Sequence, residues 1–244
     1  AVGTSVKTLI VTASATDASI IFRSRDAGTS NLSITNVSVK EVLVADGDFT
    51  FTRGSNLSAT RVDASQLIEK GRENVLLQSN QFDTTWGNSN TTETSGQAGY
   101  DGTSNAWLLT KSASNGYLIQ SIAQSGVQTA SIYAKASNSS WIYLQAVGAS
   151  TTSCYFDLVN GTTSSGGSLI DKSIELIGNG WYRCSITYNQ ALSNLRVYPA
   201  ESNSLSASSG SVYIQDSQLE SSLVATPYIE TGATTAQAGI LENT

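Results

Sequence analysis

Five acids, Asp157, Asp171, Glu175, Asp216 and Glu220, are the side chains best placed by type to move protons, and each stands alone in a polar stretch. Glycosidic hydrolysis needs two carboxyl groups held roughly 5–9.5 Å apart across a cleft. Isolated acids on strands and turns read first as solvated surface groups. The chain has no His, so it assembles no Ser-His-Asp triad. Its two cysteines, Cys154 and Cys184, make no zinc site by themselves, and the missing His removes the commonest further ligand. They fit a cross-strand pair or two buried thiols, with free thiols the favoured reading. No phosphate-cradling glycine loop is present. Aromatic rings offer another chemistry, because a ring face stacks on sugar C–H groups while neighbouring amides bond the hydroxyls. Trp86 follows Asp83-Thr84-Thr85 and Tyr100 precedes Asp101-Gly102, so both sit in loop-like stretches where they could border a carbohydrate-binding groove. Trp141 and Trp181 begin strands and are expected to pack inside the fold with their indole N–H groups satisfied.

The elements that must position these residues are strands. Only 13% of the 244 residues are charged, and Ser, Thr, Asn and Gly occupy much of the space charge would normally take. Val, Ile, Thr, Tyr and Trp recur in short runs, and no apolar set of period 3.6 extends through a typical helix. The fold class is therefore all-β. The net charge is −6 and no Lys/Arg stripe could neutralise successive phosphates, so nucleic acid is not an expected partner. No apolar stretch approaches the roughly 20 residues that cross a bilayer, and membrane insertion is not expected. With no Met anywhere and Ala at position 1, the chain reads as an excerpt of a longer polypeptide.

Residues 1–45 show three strand-like runs, at 8–12, 19–23 and 32–40, expected to be the end of a preceding β-sandwich. Residues 46–73, rich in Arg, Asp and Glu, read as a linker with local order. Residues 74–232 carry about nine short strands: 106–109, 117–122, 128–134, 141–147, 154–158, 168–177, 181–188, 195–199 and 211–219. That spacing is expected of one antiparallel β-sandwich. Asn160-Gly161 and Asn179-Gly180 signal tight turns. Alternation puts Tyr182, Cys184 and Ile186 on one face of their strand and Trp181, Arg183 and Ser185 on the other, one of which must be core. Residues 233–244 read as a linker to a downstream segment. Ile34–Glu41 and Tyr213–Glu220 echo each other weakly, each as a closing strand.

Several phrases resemble the carbohydrate-binding-module-like jelly rolls of bacteriophage tail-fibre, head-fibre and decoration proteins. They are Phe51-Thr52-Arg53-Gly54-Ser55, Ala59-Thr60-Arg61-Val62, Leu67-Ile68-Glu69, and Glu73-Asn74-Val75-Leu76-Leu77-Gln78-Ser79-Asn80 leading to Phe82 and Trp86. The series continues through Ser131–Ala136, Gly178–Arg183, Ile214–Glu220 and Thr226-Pro227-Tyr228-Ile229. The resemblance implies an antiparallel two-sheet jelly roll without a catalytic centre, mounted on a virion beside other virion proteins, usually as a homotrimer. Host-surface glycans are a possible ligand under this reading. Jelly rolls of this kind often carry a structural calcium, for which Asp101, Asp216 and Glu220 could supply oxygens.

The leading expectation is thus a structural or adhesive virion component, in a fibre, spike or capsid decoration. The alternative is an accessory carbohydrate-binding domain of a secreted polysaccharide-degrading enzyme. An independent lyase or depolymerase is weighed against by the missing His and the scattered acids.

Overall fold

The computed structural model describes residues 60–62, 68–70, 72–165 and 168–237. The chain divides into two units, Ala1–Thr52 and Arg53–Thr244, and the described residues belong to the second. The strand block expected over residues 1–45 lies outside them.

Every named element is a β-strand. A short hairpin, β1 (Thr60–Val62) and β2 (Ile68–Lys70), falls within the expected linker. There follow β3 (Glu73–Asn74), β4 (Gly87–Ser89), β5 (Thr91–Gln97), β6 (Ala106–Lys111), β7 (Tyr117–Gln124), β8 (Val127–Ala136), β9 (Trp141–Gly148) and β10 (Thr151–Asp157). The chain continues with β11 (Thr162–Ser165), β12 (Asp171–Gly178), β13 (Trp181–Asn189), β14 (Leu192–Ala200), β15 (Gly210–Glu220) and β16 (Ala236–Gln237). All pairings are antiparallel. One six-stranded sheet has the order β11-β10-β9-β14-β7-β4, the other β12-β13-β8-β15-β6-β5. Successive strands from β6 onward pass repeatedly between the two sheets, which is the jelly-roll form of a sandwich.

Side chains alternate across each strand, and the inward set makes the core. Ile142, Leu144 and Ala146 of β9 meet Cys184, Ile186 and Tyr188 of β13, with Ala130, Ile132 and Ala134 of β8 and Leu195 and Val197 of β14. Cys154 and Cys184 are both free and buried there, and burial raises the Cys154 thiol to about 11. The Tyr182, Cys184, Ile186 face of β13 is therefore the core face. All nine expected strands are present. The two six-stranded sheets hold three more, β4, β5 and β11, which carry almost no apolar residues and give no periodic signal. The Asn179-Gly180 turn has φ of 52° and 78°, the left-handed region these two residue types tolerate.

The phrase Asn74–Asn80 acts as a clasp. Asn74 donates to the carbonyls of Ser217 (3.1 Å) and Ile229 (2.8 Å) and accepts from the amides of Leu76 (3.2 Å) and Leu219 (3.1 Å). Gln78 and Ser79 bond the backbone of Gly232 and Thr231, and β16 pairs with β3. Residues 236–237, expected to lie in a linker, are thus strand, because β3 leaves a ladder edge that they complete.

Candidate functional site

The outward residues of the β11-β10-β9-β14-β7-β4 sheet form a second aromatic layer. Register alone places its members. Tyr155 of β10 is opposite Tyr143 of β9, and Tyr143 is opposite Tyr198 of β14. Val197 is opposite Leu118, which sets Tyr198 beside Tyr117 of β7. Four tyrosines on four adjacent strands therefore stand level in a row, which at about 4.8 Å per strand runs ~14 Å across the sheet. Ring centroids are 4.1 Å apart for Tyr143 and Tyr155, 5.3 Å for Tyr143 and Tyr198, and 5.2 Å for Tyr117 and Tyr198. These are the distances of offset and edge-to-face aromatic pairs. Trp141, two residues before Tyr143 on β9, packs against the row, and Leu205 closes on it from the loop after β14.

Hydroxyls and amides run alongside. The Tyr198 hydroxyl donates to Gln145 Oε1 (2.8 Å), and Gln145 Nε2 donates to the Tyr143 hydroxyl (3.3 Å). One register step away, Arg196 lies opposite Gln145 and Ile119. Its guanidinium carbon is 4.8 Å from the centre of the Tyr117 ring, and its Nε donates to Asn194 Oδ1 (2.9 Å). Tyr143 and Tyr198 are only 7% and 4% exposed, so the middle of the row presents edges and hydroxyls, while Tyr117, Tyr155 and Trp141 are partly exposed. Burial raises the Tyr155 and Tyr198 hydroxyls, the latter opposed by Arg196, so both stay protonated at neutral pH. The layer offers ring surface, neutral donors and acceptors, and one cation.

The residues singled out from sequence lie elsewhere. Trp86 does not border a groove: its indole is buried in the main core, edge-on to Phe82 at 5.3 Å, and its N–H donates to the Gln78 carbonyl (3.1 Å). Asp83, Thr84 and Thr85 are exposed as their polarity suggested, while the Trp86 ring that follows them turns inward. Tyr100 is stacked on Tyr133 at 4.0 Å on the outer face of the other sheet, and its hydroxyl donates to Asp216 (2.7 Å). Trp181 is 1% exposed in this second cluster, on the outer face of its sheet and not in the core.

Asp101 lies close enough to Asp216 to raise it, but Glu220 does not join them in one group. Asp216 and Glu220 are four residues apart on β15, whose register against β8 shifts between Gln215 and Gln218. Glu220 already accepts from the Thr226 amide and hydroxyl and from Gln218. Asp101 accepts from Thr103. Among the described residues no group of three or more His, Cys, Asp or Glu is placed to hold a metal ion.

Asp171 and Glu175 share the rim of a shallow cavity of about 180 Å³ with Arg183 and Val224. At ~3.3 Å per residue their backbones are about 13 Å apart along β12.

The tyrosine row was only half legible. Residues 143 and 155 are equidistant from Ala149 at the β9–β10 turn, so a hairpin centred there makes them opposite. Nothing local in sequence announces that Tyr198 and Tyr117 extend the row.

No family model matches the chain, and no curated protein matches it. Among solved structures it is similar to the CBM22-1–GH10 modules of the Clostridium thermocellum N-terminal endo-1,4-β-D-xylanase 10B, complexed with xylohexaose. Identity is 13% and the TM-score 0.37, over 66% of this chain and 30% of that one.

Proposed function

We propose that this protein is a glycan-binding module without a catalytic centre of its own, and that the tyrosine row is where the sugar lies. The observation that carries the reading is the level row of Tyr117, Tyr198, Tyr143 and Tyr155 flanked by Gln145, Arg196 and Trp141. Rings that pack against one another are rigid, so little side-chain entropy is lost when a ligand settles on them. Hydroxyls and amides beside them meet sugar hydroxyls with neutral hydrogen bonds. The setting we propose is a bacteriophage virion, as a fibre, spike or capsid decoration, on the strength of the sequence phrases that resemble such modules. The trimeric assembly those modules adopt is part of that proposal.

A glycan array probed with the protein and with its Tyr155→Ala variant tests the binding reading. Retention on a defined set of glycans that is lost in the variant supports it, and absence of retention by the parent protein sinks it. Peptide mapping of purified particles tests the setting. Were the chain found beside a polysaccharide-degrading domain and not in particles, the accessory-domain role would replace the virion role with the binding surface unchanged.

A further inference from the structure

Resting on the glycan reading, the geometry points to an acidic oligosaccharide as the ligand, with Arg196 receiving one of its carboxylates. Arg196 sits on β14, a central strand of the sheet, one register step from the tyrosine row. Its guanidinium is held in place by the Tyr117 ring beneath it and by the bond from Nε to Asn194. Among the described residues no carboxylate bonds to it. The acid on the same outer face, Asp157, has both oxygens engaged: Oδ1 accepts from the Val159 and Asn160 amides and Oδ2 from the Asn160 side chain. A partly buried cation whose charge is met only by a ring face and neutral groups carries a desolvation cost that an arriving anion offsets. The planar fork of Arg matches the planar carboxylate, and charge-assisted bonds of this kind are stronger than neutral ones.

Whole-molecule electrostatics sharpen the point. The chain carries a net charge of −6, so its field repels acidic polymers in general. An acidic glycan is then retained only where a local cation meets it, and the attraction at Arg196 acts as a selector of registration and not as non-specific adhesion.

The probe is an array of uronate- and sialate-containing oligosaccharides, each printed beside its methyl-esterified counterpart, followed by titration calorimetry on the strongest pair. Esterification keeps the skeleton and removes the charge. The expected result is a preference of roughly tenfold or more for the free acid. It should be abolished in Arg196→Gln and partly retained in Arg196→Lys, whose thermal melts report whether the variants fold. The acid–ester comparison on the parent protein tests the same point without any variant. Equal binding of acid and ester, or an unchanged preference in Arg196→Gln, overturns the inference while leaving the glycan reading intact. Binding of sulfated sugars alone overturns the carboxylate assignment. Binding of no glycan removes the glycan reading, and the inference with it.

Discussion

The sandwich has two outer faces, and both carry aromatic clusters of similar make-up, yet the chain treats them differently. On the β12-β13-β8-β15-β6-β5 sheet the cluster of Tyr133, Trp181, Tyr100, Tyr213 and Tyr228 is roofed by the protein's own segments. Residues 222–229 run over that face, tied down by Arg183 to the Thr226 carbonyl, Thr129 to the Ser222 carbonyl, Thr187 to the Leu223 carbonyl and Gln218 to Ile229. Outward positions there are buried polar residues such as Ser131, Gln215 and Gln218, each supplied with partners. On the opposite sheet, among the described residues, only Leu205 joins the aromatic layer from a loop, and Tyr117, Tyr155 and Trp141 keep part of their surface. Aromatic content alone does not make a binding surface. What separates the two faces is whether the chain spends its own backbone to cover the rings.

The contrast is broken most severely at Trp181. Its replacement by Ala under the roofed face should cost about 3–5 kcal/mol, read as a lowered midpoint in denaturant unfolding; a change below ~1 kcal/mol would mean the roof is not an integral part of the fold. Next comes the clasp. Asn74→Ala strips two backbone carbonyls and two amides of a partner, and at ~0.5–1 kcal/mol net per bond should cost about 2–4 kcal/mol, with residues 222–237 losing hydrogen-exchange protection first.

A pH experiment sharpens the same comparison. Asp216, under the roof, is raised to about 6 by burial, opposed by the Tyr100 hydroxyl bond and reinforced by Asp101 and Glu230. The folded state therefore holds this proton more tightly than the unfolded chain, whose Asp titrates near 3.9. The resulting stabilisation is complete below about pH 4 and lost as pH rises through about 6, an effect of order 1–3 kcal/mol. Asp216→Asn, whose side chain also tolerates the φ of 51° at this position, should remove that slope. Its melting temperature relative to the parent should climb between pH 4 and pH 7, and parallel curves would refute the assignment. The smallest stability effect is expected on the open face: Tyr155→Ala should cost ~1 kcal/mol or less of intrinsic stability while weakening glycan retention roughly tenfold.

How far sequence carries differs along the chain for physical reasons. Strand alternation is a local property, so the two faces of β13 were readable from Trp181 to Ile186, and so was the free-thiol state of Cys154 and Cys184 inside the core. The β5 strand, Thr91–Gln97, was not, because its one well-buried residue is Thr91 and a strand with no apolar face has no period to detect. Trp86 misled because polar neighbours mark a loop without saying which way its one large side chain turns. The tyrosine row depends on register between strands up to 81 positions apart, Tyr117 to Tyr198, and register across a jelly roll is fixed by pairing and not by spacing. Asp101, Asp216 and Glu220 suggested a cation site by residue type alone, and type does not foretell that the Glu220 oxygens are taken by Gln218 and Thr226.

The pairing of β3 with β16 has a mechanical consequence. Glu73 lies opposite Gln237 and Asn74 opposite Ala236, so the chain reaches and leaves the sandwich side by side, about 5 Å apart. Tension on the flanking polypeptide therefore arrives at one corner and in the unzipping direction, where bonds open one after another instead of together. In a single-molecule pulling trace the Gln237 and Ala236 pairs should part first at low force, with the Asn74 bonds to Ser217 and Leu219 of β15 taking the load next on one side and the bonds of Gln78 and Ser79 to Gly232 and Thr231 on the other. The corner works as a shock absorber: a module hung this way yields a few residues of slack and keeps its broad faces in shape.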